Sequence, residues 1–240
     1  MTVAVSVDLA FRRYANVGIA VLVDQGDRVT VEFPKAADLG LADPPDPCVL
    51  ALRLRKLCEE RGASILLLDG PQAWKDPDNG LMHQRVCEKA LNTPAKTGPP
   101  GQVKPAPYTP FVEFCVAVFD ALREAGGRLL LSENVALDAT SVLVLESFPT
   151  AAWVSLGLPK LLGKAKTKPD HLQACYQRLC AQHRLEVNGQ PNHDELQALV
   201  AGLAGVAIGR GAIGEYRVVG APPIVIGEIW REGFIVIPRK

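Results

Sequence analysis

The sequence predicts an α/β fold in which a mixed central sheet is flanked by helices. Three valine-rich segments near the start, 2–9, 15–23 and 27–33, are separated by short polar turns and indicate three antiparallel strands. Two later apolar runs, 64–69 and 141–149, are continuous, as is typical of strands buried on both faces. Helical patterns separate these runs, so we expect them to be parallel neighbours of the first strand.

The helices follow from their start and stop signals. Asp46 followed by Pro47 is a helix start, and Arg61 followed by Gly62 is a stop. The pattern predicts helices at 47–61, about 81–91, about 110–125, from about 149, at 168–184 and at 193–209. The tail, 216–238, is predicted to form a hairpin or two. We therefore expect a single domain over 1–240 with a C-terminal β-hairpin extension at about 214–240.

Composition and charge limit the classes of function. The 240 residues are 48% hydrophobic and 22% charged, and 26 basic residues balance 26 acidic ones, so no global field attracts nucleic acid. The six cysteines show no zinc spacing and are expected to be reduced. The start lacks a basic leader, and the longest uncharged helical segment, 196–209, is shorter than the ~20 residues of a membrane span. We expect a cytoplasmic protein without a membrane partner.

Three acidic residues directly follow predicted strands. Asp8 follows the first strand, Asp69 the run at 64–69, and Glu146 lies in the run at 141–149. The carboxyl ends of parallel strands meet along one edge of a sheet, where open α/β folds place their sites. A single acid at a strand end is most often only solvated. Three of them together predict a carboxylate cluster.

A fourth acid, Asp194, lies in the first turn of the last predicted helix. An acid at that position also complements the helix dipole. On the same helix face, positions 198, 201 and 205 are Ala, Ala and Gly. The strand residues that share a face with Asp8 are Ser6 and Ala4, which are also small. Two smooth faces, each ending in an aspartate, predict close packing that brings Asp8 and Asp194 together.

Converging carboxylates predict a bound cation. Two like charges ~4 Å apart repel by roughly 4 kcal/mol at an effective dielectric constant near 20. Oxygen ligands in this number suit Mg²⁺ or Mn²⁺, and a pair of such ions ~3.5 to 4 Å apart can cleave phosphodiesters. Arg12 and Arg13, directly after the first strand, would hold phosphate. Their alternative role is solvation of a hairpin turn.

The strand order and the acids together resemble the ribonuclease H-like fold, and more closely domain-of-unknown-function family 429, which comprises predicted nucleases. The resemblance rests on VDLAFRR, LLLDGPQAW, HQRVCEKAL, LVLESFPTAAW and NHDELQALVAGLAG, which span residues 3 to about 210. It implies metal-dependent hydrolysis of nucleic acid. The metal ligands and catalytic residues that it implies are Asp8, Asp69, Asp194 and Glu146, the last as a fourth ligand.

The resemblance also implies substrate contacts. Arg85 lies in the HQRVCEKAL motif, and Lys164 and Lys166 lie in LPKLLGKAKTK, which matches a basic family segment. One departure is Asp69-Gly-Pro71, where relatives tend to show Asp-Ala-Pro. Two alternatives stay open: a non-catalytic binding or scaffold domain with a structural ion, and an actin-like ATPase, although the first hairpin has no phosphate-binding glycine loop.

Overall fold

The structure is a computed structural model that describes residues 2–138 and 140–240. Its strands are β1 (Thr2–Asp8), β2 (Gly18–Asp24), β3 (Val29–Glu32), β4 (Ile65–Asp69), β5 (Lys96–Thr97), β6 (Val103–Lys104), β7 (Arg128–Leu129), β8 (Leu143–Ser147), β9 (Leu185–Val187), β10 (Tyr216–Ile226) and β11 (Ile229–Pro238). Its helices are α1 (Pro47–Arg61), α2 (Val86–Leu91), α3 (Thr109–Glu124), α4 (Pro149–Ser155), α5 (Pro169–His183) and α6 (His193–Gly209).

A mixed sheet forms the centre of the molecule. Within the described residues its strand order is β10-β11-β8-β4-β1-β2-β3-β9, with β7 also paired to β8. The strand β2 is antiparallel to β1 and β3, whereas β4 and β8 run parallel to β1. This inner order, β3-β2-β1-β4-β8, is that of a ribonuclease H-like fold, so the fold-class prediction is confirmed.

Helices cover both faces of the sheet. The helices α1 and α3 pack on the face that carries Val3, Val5 and Val7 of β1. The helix α6 packs on the other face, across β1 and β2, with α4 and α5 beside it. The cap residues of α1 are the expected ones, because Asp46 accepts a hydrogen bond from the Val49 amide and Gly62 is left-handed.

Several elements differ from the sequence prediction. The helix predicted at about 81–91 begins only at Val86, and the short strands β7 and β9 carry too few residues to produce an alternating pattern. The tail hairpin joins the central sheet, since β11 pairs in parallel with β8 at Ile235 and Val236. The single-domain organisation stays a prediction.

Two further expectations concern the cysteines and the membrane. All six cysteines are free thiols, and four of them are buried. Among the described residues, no helix combines the length and apolar character needed to cross a bilayer. The cytoplasmic location stays a prediction.

Candidate carboxylate site

Asp8 and Asp69 stand side by side at the carboxyl edge of the sheet. The parallel register pairs Asp8 of β1 with Asp69 of β4, and Asp69 with Ser147 of β8. On the other side of β1, Asp8 pairs with Gly18 of β2. Residues paired in register point to the same face of a sheet, so the two carboxyl groups face the side covered by α6.

Gly18 lets the start of α6 lie directly on the sheet. A Cβ atom at Gly18 would stand 2.2 Å from the backbone carbon and oxygen of Asp194. No side chain fits in that space, so only glycine allows the helix to approach β2 beside Asp8. The first turn of α6 is held by Asn192, whose side chain accepts hydrogen bonds from the amides of Asp194 and Glu195.

The close packing continues along α6. A Cβ atom at Gly202 would stand 3.0 Å from the Ser6 Cβ atom, and one at Gly205 would stand 2.8 Å from the Ala4 Cβ atom. The predicted small residues Ala198 and Ala201 are each 1% exposed. The close approach of α6 to β1 therefore involves Gly202 as well as the predicted Gly205, and it continues to Gly209, where a Cβ atom would stand 1.9 Å from Thr2.

Burial and mutual repulsion favour a proton on the aspartate pair. Burial raises the pKa of Asp8 well above its ordinary value, and the charges of Asp69 and Asp194 raise it further. Burial also raises the pKa of Asp69, to about 7. Without a cation, the pair therefore retains a proton at pH values where isolated aspartates are ionised.

Asp194 is the third carboxylate near this pair, and two basic side chains already contact it. Its carboxylate accepts hydrogen bonds from the Lys164 ammonium and from His193 Nδ1, the latter at 3.1 Å. Burial raises the pKa of Asp194, but these two hydrogen bonds outweigh burial and the pKa falls below its ordinary value. Lys164 also donates to the Asn16 side chain at 3.1 Å, and its charge reaches Asp8.

Glu146 and Arg85 occupy different positions from those predicted. Glu146 pairs with Leu68, one residue before the Asp69 pair, so it belongs to the opposite face of the sheet. Its carboxylate accepts hydrogen bonds from Arg85 Nη1 at 2.8 Å and Nη2 at 2.7 Å, and from the Gln72 amide at 2.9 Å. Arg85 is 1% exposed. Glu146 is therefore paired with Arg85, although its charge also raises the pKa of Asp69, and the buried Arg85 presents almost no surface to a substrate. The role of Glu146 as a ligand stays a prediction.

The other predicted substrate-binding residues lie on the surface. Arg12, Arg13 and Lys166 are exposed, and the Lys164 side chain is 55% exposed although its ammonium contacts Asp194. The Arg12 guanidinium lies 5.2 Å from the centre of the Phe11 ring. Lys164, in the segment that precedes α5, thus reaches the site, while Arg12 and Arg13 lie exposed in the β1–β2 loop that follows Asp8.

The donor set fits a hard divalent cation in part. Asp8 and Asp69 offer only oxygen atoms, and their repulsion would be relieved by a cation. Across residues 2–138 and 140–240, however, no three His, Cys, Asp or Glu side chains stand together as a metal-binding group. The Asp194 carboxylate contacts Lys164 and His193 instead.

Sequence reasoning missed three features of this site. The close approach of α6 requires glycine at position 18, but a glycine at the start of an apolar strand does not by itself indicate that a helix packs against it. His193 supports Asp194 and contacts the Leu162 carbonyl oxygen at 2.8 Å. The basic segment was predicted to bind phosphate, and the ion pair between Lys164 and Asp194 was not foreseen.

The chain was compared with known proteins. No protein-family model and no curated protein matches it. It is similar to the structure of Thermus thermophilus RuvC, with 12% identity and a TM-score of 0.43 over 88% of this chain and 97% of that one. It is also similar to T. thermophilus RuvC in complex with a Holliday junction substrate, with 13% identity and a TM-score of 0.39 over 87% and 96%.

Proposed function

We propose that this protein is a divalent-metal-dependent nuclease that hydrolyses phosphodiester bonds of nucleic acid. The observation that carries the proposal is the adjacency of Asp8 and Asp69, with Asp194 fixed at the start of α6 beside them. Such an arrangement costs free energy in a protein without a cation, because burial and repulsion both oppose ionisation. Binding of a cation would offset this cost.

In this proposal Asp8, Asp69 and Asp194 hold Mg²⁺ or Mn²⁺. When bound, such an ion would supply an activated water and would stabilise charge on the phosphate oxygens. Asp8 and Asp69 are held by the sheet ladder, and Asp194 by the capped first turn of α6. Lys164 moves from Asp194 towards the phosphate of the substrate.

Glu146 and Arg85 act as positioning residues in the same proposal. Glu146 accepts a hydrogen bond from the Gln72 amide, and therefore fixes the turn that follows Asp69. Arg85 compensates the buried charge of Glu146 and is itself held by Glu88 at 3.1 Å. In the proposal, these buried ion pairs hold the turn after β4 in place, and none of the three side chains contacts the substrate. Exposed Arg12, Arg13 and Lys166 contact the phosphates on either side.

Membership of domain-of-unknown-function family 429 is part of the proposal. The motifs that contain Asp8, Asp69 and Asp194 support it, since each has its acid at an end of a strand or helix in the structure. The family's fourth acid, Glu146, fits it as a support for the turn after Asp69 and is not proposed as a ligand.

The test is cleavage of labelled nucleic acids by the purified chain. Single-stranded, duplex, hybrid and branched DNA and RNA are incubated with Mg²⁺, Mn²⁺ or a chelator. We expect cleavage with metal only, and we expect Asp8→Asn to lower it by orders of magnitude with its fold intact. Asp27→Asn is the matched control, because Asp27 is exposed in the β2–β3 turn at the opposite edge of the sheet.

Two results would contradict the proposal. One is cleavage by Asp8→Asn at the rate of Asp27→Asn, which would trace the activity to a contaminant or to another site. The other is no cleavage of any nucleic acid with either ion, which would favour the non-catalytic domain with a structural ion.

A further inference from the structure

A cavity of about 240 Å³ opens beside Asp69, on the side of β8. The ring side chains in its wall are Tyr108, Phe111 and Phe148, and Ile235 adds further apolar surface. The volume is several times the ~30 Å³ that one water molecule occupies in the liquid. Its size and its aromatic wall suit a single planar ring system more than an extended chain.

The charges around the cavity disfavour an anionic occupant. Arg85, Glu88 and Glu146 line it, and their formal charges sum to a negative value. The carboxylate oxygens of both glutamates already accept hydrogen bonds from Arg85, Thr97 and the backbone. A phosphate group inside the cavity would be repelled by this wall. An uncharged ring would not be repelled.

One polar group in the wall lacks a partner. Ser147 is 2% exposed, and among the described residues its hydroxyl group makes no hydrogen bond. Buried hydroxyl groups in proteins are almost always hydrogen-bonded. Ser147 is the ladder neighbour of Asp69, so a group bound there lies next to the aspartate pair. The hydroxyl can donate to or accept from the polar edge of a ring.

The cavity connects to a second aromatic surface. Tyr108 and Phe111 also line an open groove of about 590 Å³, together with Phe11 and Arg12. The Phe11 and Phe111 rings are 6.3 Å apart between centroids. Rings combined with an arginine are typical of surfaces on which successive bases of a single strand stack. The cavity and the groove thus flank the edge that carries Asp8 and Asp69.

We infer that the cavity is a subsite for one unpaired nucleobase, adjacent to the phosphate at the proposed metal site of Asp8 and Asp69. The inference rests on the proposed function and narrows its substrate to single-stranded or locally unpaired nucleic acid. A paired base cannot enter the cavity, because its partner strand would occupy the space of the protein wall. The neighbouring base lies in the groove formed with Phe11 and Arg12.

A binding assay that requires no cleavage tests this inference. A short single-stranded oligodeoxynucleotide with one fluorescent purine analogue is titrated with protein in the presence of chelator, and an oligoribonucleotide of the same sequence serves as second probe. Stacking in the cavity quenches the fluorescence. Thr150→Phe fills the cavity from α4, and Val154→Phe is its matched control, because Val154 is 53% exposed on the same helix and outside the cavity.

We expect quenching by the wild type and by Val154→Phe, and a loss of affinity of about 5- to 150-fold in Thr150→Phe, the range that stacking of one base provides. If Thr150→Phe does not melt cooperatively, Tyr108→Ala decides, because Tyr108 is 37% exposed and its removal opens the cavity without burying new atoms. This variant should weaken quenching in the same way.

The inference is overturned if the wild type does not quench the probe, or if Thr150→Phe and Tyr108→Ala quench it as Val154→Phe does. Metal-dependent cleavage would survive either result, and the proposed function with it. Conversely, quenching that Thr150→Phe abolishes, in a protein that cleaves nothing, would support the base subsite and contradict the nuclease.

Discussion

Replacing Gly18 with alanine tests whether the approach of α6 to the sheet controls the carboxylate site. The added Cβ atom would stand 2.2 Å from two backbone atoms of Asp194 and 2.6 Å from the Glu195 amide nitrogen. Backbone cannot swing aside as a flexible side chain can. The start of α6 must therefore move away from β2 by roughly 1 Å, a displacement on the scale that costs about a hundredfold in rate at an active site.

The stability cost follows from the same overlap. Overpacking of a well-packed interior costs about 1 to 3 kcal/mol. For a chain of this length each kcal/mol lowers the melting temperature by roughly 2 to 4 °C. We therefore expect Gly18→Ala to melt several degrees below the wild type and to cleave nucleic acid about a hundredfold more slowly. Circular dichroism confirms the fold, and scanning fluorimetry measures the melting temperature.

Gly214→Ala is the matched control for this substitution. A Cβ atom at Gly214 would meet no heavy atom within 4 Å, and its backbone is not left-handed. The same chemical change should therefore have little effect there. If Gly18→Ala melts and cleaves as Gly214→Ala does, the close approach of α6 does not position Asp194, and the geometric account of the site is wrong.

Three other perturbations test separate parts of the structure. Ala201→Leu enlarges a residue that is 1% exposed and should lower the free energy of unfolding by about 1 to 3 kcal/mol, measured by urea denaturation. An unchanged free energy of unfolding would show that Ala201 is not tightly packed. Glu146→Gln breaks the buried ion pair with Arg85 and should lower the free energy of unfolding by about 3 to 5 kcal/mol. If cleavage is lost while the melting temperature is unchanged, Glu146 is a metal ligand and not a positioning residue. Asp69 binds a proton in the folded state up to about pH 7 but only up to its ordinary pKa of 3.8 when unfolded. The metal-free protein should therefore lose stability as pH rises from 3.8 to about 7. A melting temperature that stays constant or rises with pH over that range would contradict the proton that the aspartate pair retains.

The pairing of Asp8 with Asp69 was accessible from the sequence. Two apolar strands each end in an aspartate, and the sequence predicts two antiparallel strands and a helical crossover between them, so the later strand can lie parallel to the first with both carboxyl ends at one edge. The structure pairs these two residues directly. Periodicity and caps were enough to locate α1 and α6, because their signals are local to the chain.

The position of Glu146 was not accessible in the same way. Whether Asp69 meets Glu146 or Ser147 depends on a register of one residue, and in a strand buried on both faces the apolar pattern does not fix that register. Similarly, small residues occupy several faces of α6, so the sequence did not distinguish Ala201 from Gly202 as the contact with β1. The cavity beside Asp69 is lined from five separate segments, and only tertiary assembly brings them together.

The measurement that tests the central claim most directly is the effect of Mg²⁺ and Mn²⁺ on thermal stability, because it requires no knowledge of the substrate. At a concentration 100 times its dissociation constant, an ion that binds only the folded chain stabilises it by about 2.7 kcal/mol. We expect a metal-dependent rise in the melting temperature of the wild type and most of that rise to be lost in Asp8→Asn. Without metal, Asp8→Asn should melt at or above the wild-type temperature, since it removes a repelling carboxyl group. A wild type that does not respond to either ion, together with a metal-free Asp8→Asn that is clearly less stable, would contradict the metal site.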